Sequence, residues 1–152
     1  MNASDWSSRQ GHRLVQLGVL VFLIALLVGL AVPKLAVPRL GLSAHLLGVM
    51  QGLFLMVTGL FWPRLRLSGA AARVTFWLLI YGSFAAWAAN MLGAVWGAGN
   101  SILTMAAGAA HGSEFQETAI ATLLRTAGLS LIIAIVLMLW GLRIAGTPDK
   151  QS

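Results

Sequence analysis

Four apolar stretches, near residues 14–32, 42–62, 74–97 and 118–142, each approach the length needed to cross a lipid bilayer, whose ~30 Å hydrocarbon core takes about 20 helical residues. They constrain the fold more than any motif does. Inside a bilayer every backbone amide must find its partner within the protein, and for stretches this long the helix meets that demand. Composition agrees: the chain is 59% hydrophobic and 9% charged, with mean hydropathy +0.86. The expectation is an all-α integral membrane four-helix bundle. Helices and short connections consume nearly all of the 152 residues, so a single membrane domain over 1–152 follows. Pro33 and Pro38 are expected to end the first helix and stiffen a short loop, and Pro63 to close the second. The first stretch exceeds the apolar core of a cleavable signal peptide and reads as a retained helix.

Charge then orients the helices. A net charge of +6 would suggest nucleic acid in a soluble chain, but here Lys and Arg flank apolar stretches and meet lipid headgroups. No nucleic-acid partner is expected. Arg9, Arg13, Arg64, Arg66, Arg73, Arg143 and Lys150 fall on one side, against Lys34 and Arg39 on the other. That imbalance predicts both termini in the cytoplasm of a bacterial-type inner membrane. The absence of Cys removes disulfides, thiolate metal sites and iron–sulfur clusters, so any metal chemistry must rest on His, carboxylates or a prosthetic group.

Within the apolar stretches a few polar residues need explaining, because an ionisable group at membrane depth is costly and marks a candidate site. Foremost is His45. At ~1.5 Å per residue His45 lies about 4 to 5 Å inside the outer end of its stretch. Gln51, Asn90 and Arg125 share that outer half, whereas Gln16, Tyr81 and Ser83 fall in the inner half. His45 has two readings: an interfacial imidazole bonded to a carbonyl or water, or an axial ligand to haem iron with the opposite position open to substrate. A second intramembrane His is missing, which favours a five-coordinate site over bis-histidine ligation.

Gly48 and Gly52, three and seven residues beyond His45, share its helix face. They could floor a flat macrocycle or form a small-residue packing surface, and Ala89, Gly93 and Gly97 read as a packing seam. Arg125 reads as a counter-ion, for a haem propionate or for Glu114 or Glu117, or as a cation snorkelling to headgroups. The third loop, 98–117, is a solvated connector or a lid, and its His111, Glu114 and Glu117 make a weak metal-ligand pattern. Trp62, Trp87, Trp96 and Trp140 suit belt and packing roles.

The run PRLGLSAHLLGVMQGLFL at 38–55 resembles the signature of hydroxylaminobenzene mutases, small four-helix membrane enzymes. The likeness continues through WPRL at 62–65, YGSFAAW at 81–87, WGAG at 96–99, HGS at 111–113 and LWGLR at 139–143. A more distant resemblance is to styrene oxide isomerases, trimeric enzymes that hold haem b through a histidine and convert epoxides to aldehydes. That histidine falls on His45. Gln51 and Asn90 stand where the epoxide isomerases carry Asn and Tyr, so haem binding transfers better than epoxide chemistry.

The resemblance implies rearrangement of hydroxylaminobenzene, a small aromatic substrate, to 2-aminophenol by intramolecular hydroxyl transfer. It implies ferric haem b on His45 as Lewis acid, with Gln51 and Asn90 as the catalytic pair orienting the substrate. Gly48, Gly52 and Arg125 would join His45 in holding the cofactor, near the interfaces of a homotrimer. The alternatives are an epoxide isomerase of the styrene oxide type, or a haem-binding membrane protein without catalysis.

Overall fold

Proline, serine and glycine decide where the helices begin and end. The structure, a computed structural model, describes residues 3–144, so Lys150 of the charge argument lies outside it. Helix α1 spans Ala3–Ala31 and passes into a 3-10 turn, Val32–Lys34, built around Pro33. Pro38 does not stiffen a loop as expected; it is the first residue of α2 (Pro38–Phe61), where its missing N–H costs no helical bond. A second 3-10 turn, Trp62–Arg64, leads to α3 (Gly69–Trp96), capped by Ser68, whose Oγ accepts from the Ala71 amide at 3.3 Å. Gly97, at φ +66°, closes α3 in the left-handed region that favours glycine. One turn, α4 (Thr104–Ala107), precedes α5 (Glu114–Ile144).

Four of these helices are long and apolar enough to span a membrane, and among the described residues there is no strand. Each begins earlier than hydropathy placed it, at 38 rather than 42, 69 rather than 74, and 114 rather than 118. Hydropathy senses only the hydrocarbon layer, whereas a helix continues through the wet interface. His45 consequently sits about 10 Å along α2, two turns in rather than one.

α1 and α2 pack along a seam where glycine admits backbone to backbone. A Cβ on Gly52 would lie 2.8 Å from the Gly18 carbonyl oxygen, and one on Gly59 would lie 2.6 Å from that of Gly11. Such close approach lets weak contacts accumulate where no hydrophobic force drives helices together. Gly82 serves α3 and α5 similarly, facing Leu131 and the Ala127 carbonyl. The two hairpins join through α2 and α3, whereas α1 and α5 do not pack on each other. At the end holding the chain termini, Trp62 is sealed against Phe76, edge to face, and its indole N–H donates to Gln10 Oε1 at 3.2 Å. Large apolar side chains, among them Leu30, Met50 and Trp77, turn outward, as a lipid solvent requires.

The 98–113 segment is a largely exposed connector whose ends are clasped by Glu117. Both carboxylate oxygens of Glu117 are taken by backbone amides: Oε1 accepts from Gly99 at 2.8 Å and Gly112 at 3.0 Å, Oε2 from Ser101 at 3.0 Å. Ser113 and Gln116 exchange side-chain-to-backbone bonds in a capping box that starts α5. No group of three or more His, Asp or Glu poised for a metal occurs among the described residues.

Gly52→Val should lower the thermal stability of the detergent-solubilised protein by about 1 to 3 kcal/mol, the usual cost of overpacking, while Gly128→Ala, whose Cβ meets nothing within 4 Å, should be neutral. Glu117→Ala should accelerate hydrogen exchange at the Gly99, Ser101 and Gly112 amides by an order of magnitude or so, leaving the α1–α2 seam unchanged. Unaltered exchange would remove Glu117 as the clasp.

Candidate functional site

His45 reaches across the seam to α1. Its Nδ1 lies 2.7 Å from the Ala25 carbonyl oxygen, and since a carbonyl only accepts, Nδ1 carries the proton and Nε2 the lone pair. Nε2 has no hydrogen-bond partner, and it is not sealed in, because Trp87 Nε1 alone is buried without a partner among the described residues. The ring owes its position to Gly29. A Cβ there would stand 2.7 Å from Nδ1 and 2.9 Å from Cε1, so any larger residue would push the imidazole off the carbonyl. A histidine fixed through one nitrogen to a backbone carbonyl, with the other free, is how proteins commonly prepare a metal ligand.

Around α2, away from His45, polar residues form rungs to α3. Ser43 Oγ donates to Asn90 Oδ1 at 2.9 Å, and Asn90 Nδ2 donates to the Ala86 carbonyl at 3.0 Å. Two turns along, Ser83 Oγ donates to Gln51 Oε1 at 3.0 Å. Between the rungs the Trp87 indole lies over Gly48, with Nε1 2.9 Å from where a Cβ would be. Gln51 and Asn90 therefore flank Trp87 and do not meet. Asn90 is occupied in joining helices, whereas Gln51 has its oxygen committed to Ser83 and its amide N–H groups unpaired. Gln51 also lines an apolar groove of about 280 Å³ between α2 and α5, with Leu47, Met50, Phe54, Leu131 and Ile135.

The shelf anticipated at Gly48 and Gly52 is filled. Ala25 and Trp87 cover Gly48, and Phe22 with the Gly18 carbonyl covers Gly52, so both glycines serve helix packing and neither is free to carry a macrocycle. Arg125 is exposed on α5 beside Ser101, Glu114 and Glu117, around a recess of about 250 Å³. Within one protomer it stands apart from His45, which faces α1.

Sequence reasoning missed the Ala25 carbonyl, Gly29, Ser43 and the Ser83 contact, and it placed Ser83 in a different layer from Gln51. A usable signal existed: Ser43 and Asn90, like Gln51 and Ser83, lie at nearly equal chain distances from the α2–α3 turn. Antiparallel helices bring such positions together.

The pattern defining the family described as "Styrene oxide isomerase" matches residues 10–143. Two hydroxylaminobenzene mutases of Ectopseudomonas oleovorans are similar to the chain. HabB is 45% identical over 141 residues, 93% of this chain and 85% of HabB; HabA is 38% identical over 125 residues, 82% of this chain and 93% of HabA. No solved structure matches. With the match running from the first span to the end of the last, the chain belongs to the styrene oxide isomerase family and is an isomerase of that membrane-embedded kind.

Proposed function

We propose that this protein rearranges an arylhydroxylamine, hydroxylaminobenzene or a close relative, to the ortho-aminophenol by intramolecular hydroxyl transfer, using haem b held by His45. The observation that carries this reading is the His45 tautomer: Nδ1–H on the Ala25 carbonyl, Nε2 unpartnered two turns into a membrane helix. The similarity to the two mutases supplies the reaction class. The residues present fit the group at one point, the Nε2 lone pair, and they do not provide a glycine floor. His45 would hold ferric haem through Nε2, and the iron would supply a Lewis acid toward the hydroxylamine oxygen of the substrate.

What the chain contributes is position and dryness. Ala25 holds the ring and sets its tautomer through the Nδ1 bond. Ser83 fixes the Gln51 amide so that its donors, and not its oxygen, face the groove. Those donors suit the hydroxylamine oxygen, while Leu47, Met50 and Phe54 suit the aryl ring. An apolar surround delays attack by bulk water, which would divert the oxygen to the para carbon.

His45 and Gln51 are six residues apart, about 120° around α2, and face α1 and α5 respectively. One protomer cannot turn both toward the same small molecule. A homotrimer, in which the imidazole of one copy and the amide of the next bound a shared pocket near the interface, resolves this. The outward apolar faces supply the surface for it. By the Lys and Arg imbalance both termini lie in the cytoplasm of a bacterial inner membrane.

Incubating purified full-length protein with hydroxylaminobenzene in ¹⁸O-labelled water should give mainly 2-aminophenol without label. Labelled or mainly para product would contradict intramolecular transfer. Ser83→Ala should lower kcat/KM about tenfold, the loss of one oriented hydrogen bond, with Ser83→Thr largely restoring it; an unimpaired Ser83→Ala enzyme would take Gln51 out of substrate orientation.

A further inference from the structure

α1 and α3 each pack on α2 but scarcely on each other, and this leaves a lengthwise groove between them. It measures about 550 Å³ and is lined by Leu17, Leu20, Phe76, Ile80 and Phe84, with Trp77 along one wall. The polar residues Arg13 and Gln16, both exposed, stand at its mouth, at the end of the molecule that holds the chain termini. From Arg13 to Leu20 the groove runs about 10 Å along α1, well into one leaflet of a ~30 Å hydrocarbon core. Trp77 is 65% exposed and divides this groove from a second one, where Arg73 and Tyr81 lie. Each of the two neighbouring apolar grooves thus carries one guanidinium, Arg13 in the first and Arg73 in the second, toward the end of the molecule that holds the chain termini. The carboxylates with described side chains, Glu114 and Glu117, stand at the opposite end, against the 98–113 segment.

We propose that the α1–α3 groove is a binding site for an anionic glycerophospholipid, with one acyl chain between Leu17 and Ile80 and the headgroup phosphate at Arg13. The charge pattern selects this occupant. A neutral arylhydroxylamine gains nothing from a guanidinium at the mouth, and a second copy of the chain would bring its own Arg13 and Arg73 rather than an anion. A phosphodiester supplies the paired oxygens that a guanidinium fork binds, and basic pockets between membrane helices at the headgroup level hold such lipids. The groove is separate from His45, which faces the other edge of α1 and α2, so the proposal stands whether or not the catalytic reading does.

The test uses full-length protein in phosphatidylcholine vesicles containing a small share of chain-brominated lipid, whose bromines quench nearby tryptophan. Brominated phosphatidylglycerol should quench more strongly than brominated phosphatidylcholine, and Trp77→Phe should abolish that excess. Arg13→Gln should weaken the apparent preference about fivefold, the contribution of one basic group at a membrane surface, whereas Arg39→Gln, at the opposite end, should leave it unchanged. Equal quenching by the two lipids would overturn the site. So would an excess that survives in Arg13→Gln, or a Trp77 shielded from both lipids by a second copy.

Discussion

One hydrogen bond organises the candidate site: the His45 imidazole donating to the Ala25 carbonyl across the α1–α2 seam. In hydrocarbon an unpaired imidazole N–H is expensive, so the bond fixes both the rotamer and the tautomer. It exists only because the helices come close. Gly11 with Gly59, Gly18 with Gly52, and Ala25 with Gly48 bring the two helices together at every second turn, and Gly29 then leaves room for the ring. A larger residue early in the seam would tilt α1 and move the Ala25 carbonyl, so packing far from His45 bears on its chemistry.

The two sides of α2 carry different tasks. Toward α1 it is glycine-lined and presents the imidazole; toward α3 it carries the Ser43–Asn90 and Gln51–Ser83 rungs, each worth roughly 0.6 kcal/mol by the measure of bonds between membrane helices. Between the rungs the unpartnered Trp87 Nε1 occupies the space that Gly48 vacates. This division puts a free imidazole nitrogen and a free amide on different faces of one protomer, and the proposed chemistry would bring them together across an interface between copies. On the termini side, the basic groove between α1 and α3 is a separate device that ties the protein to its lipid.

Much of this was legible in the chain itself, and the limits were physical. Hydropathy found the four spans, since transfer of about 20 apolar residues dominates everything else, and it singled out His45 as an ionisable group at depth. Helix ends were not legible to better than a turn, because Pro38 suits a loop and a helix start equally well until its neighbours are known. Gly48 and Gly52 lie on the His45 face as spacing required, but spacing cannot tell an open shelf from a seam filled by another helix. Glu117 resembled a metal ligand in sequence, and only the folded 98–113 segment reveals three amides in its grasp. Family resemblance reached further than periodicity: the match over 10–143 and the two mutases agree with it.

An optical spectrum of the purified wild-type protein beside His45→Ala decides whether His45 Nε2 holds iron, as proposed. The expected outcome is a Soret band in the wild type, lost in the variant and regained when free imidazole is added. A variant that keeps the full band, or a wild type that stays colourless after incubation with haemin, would contradict it.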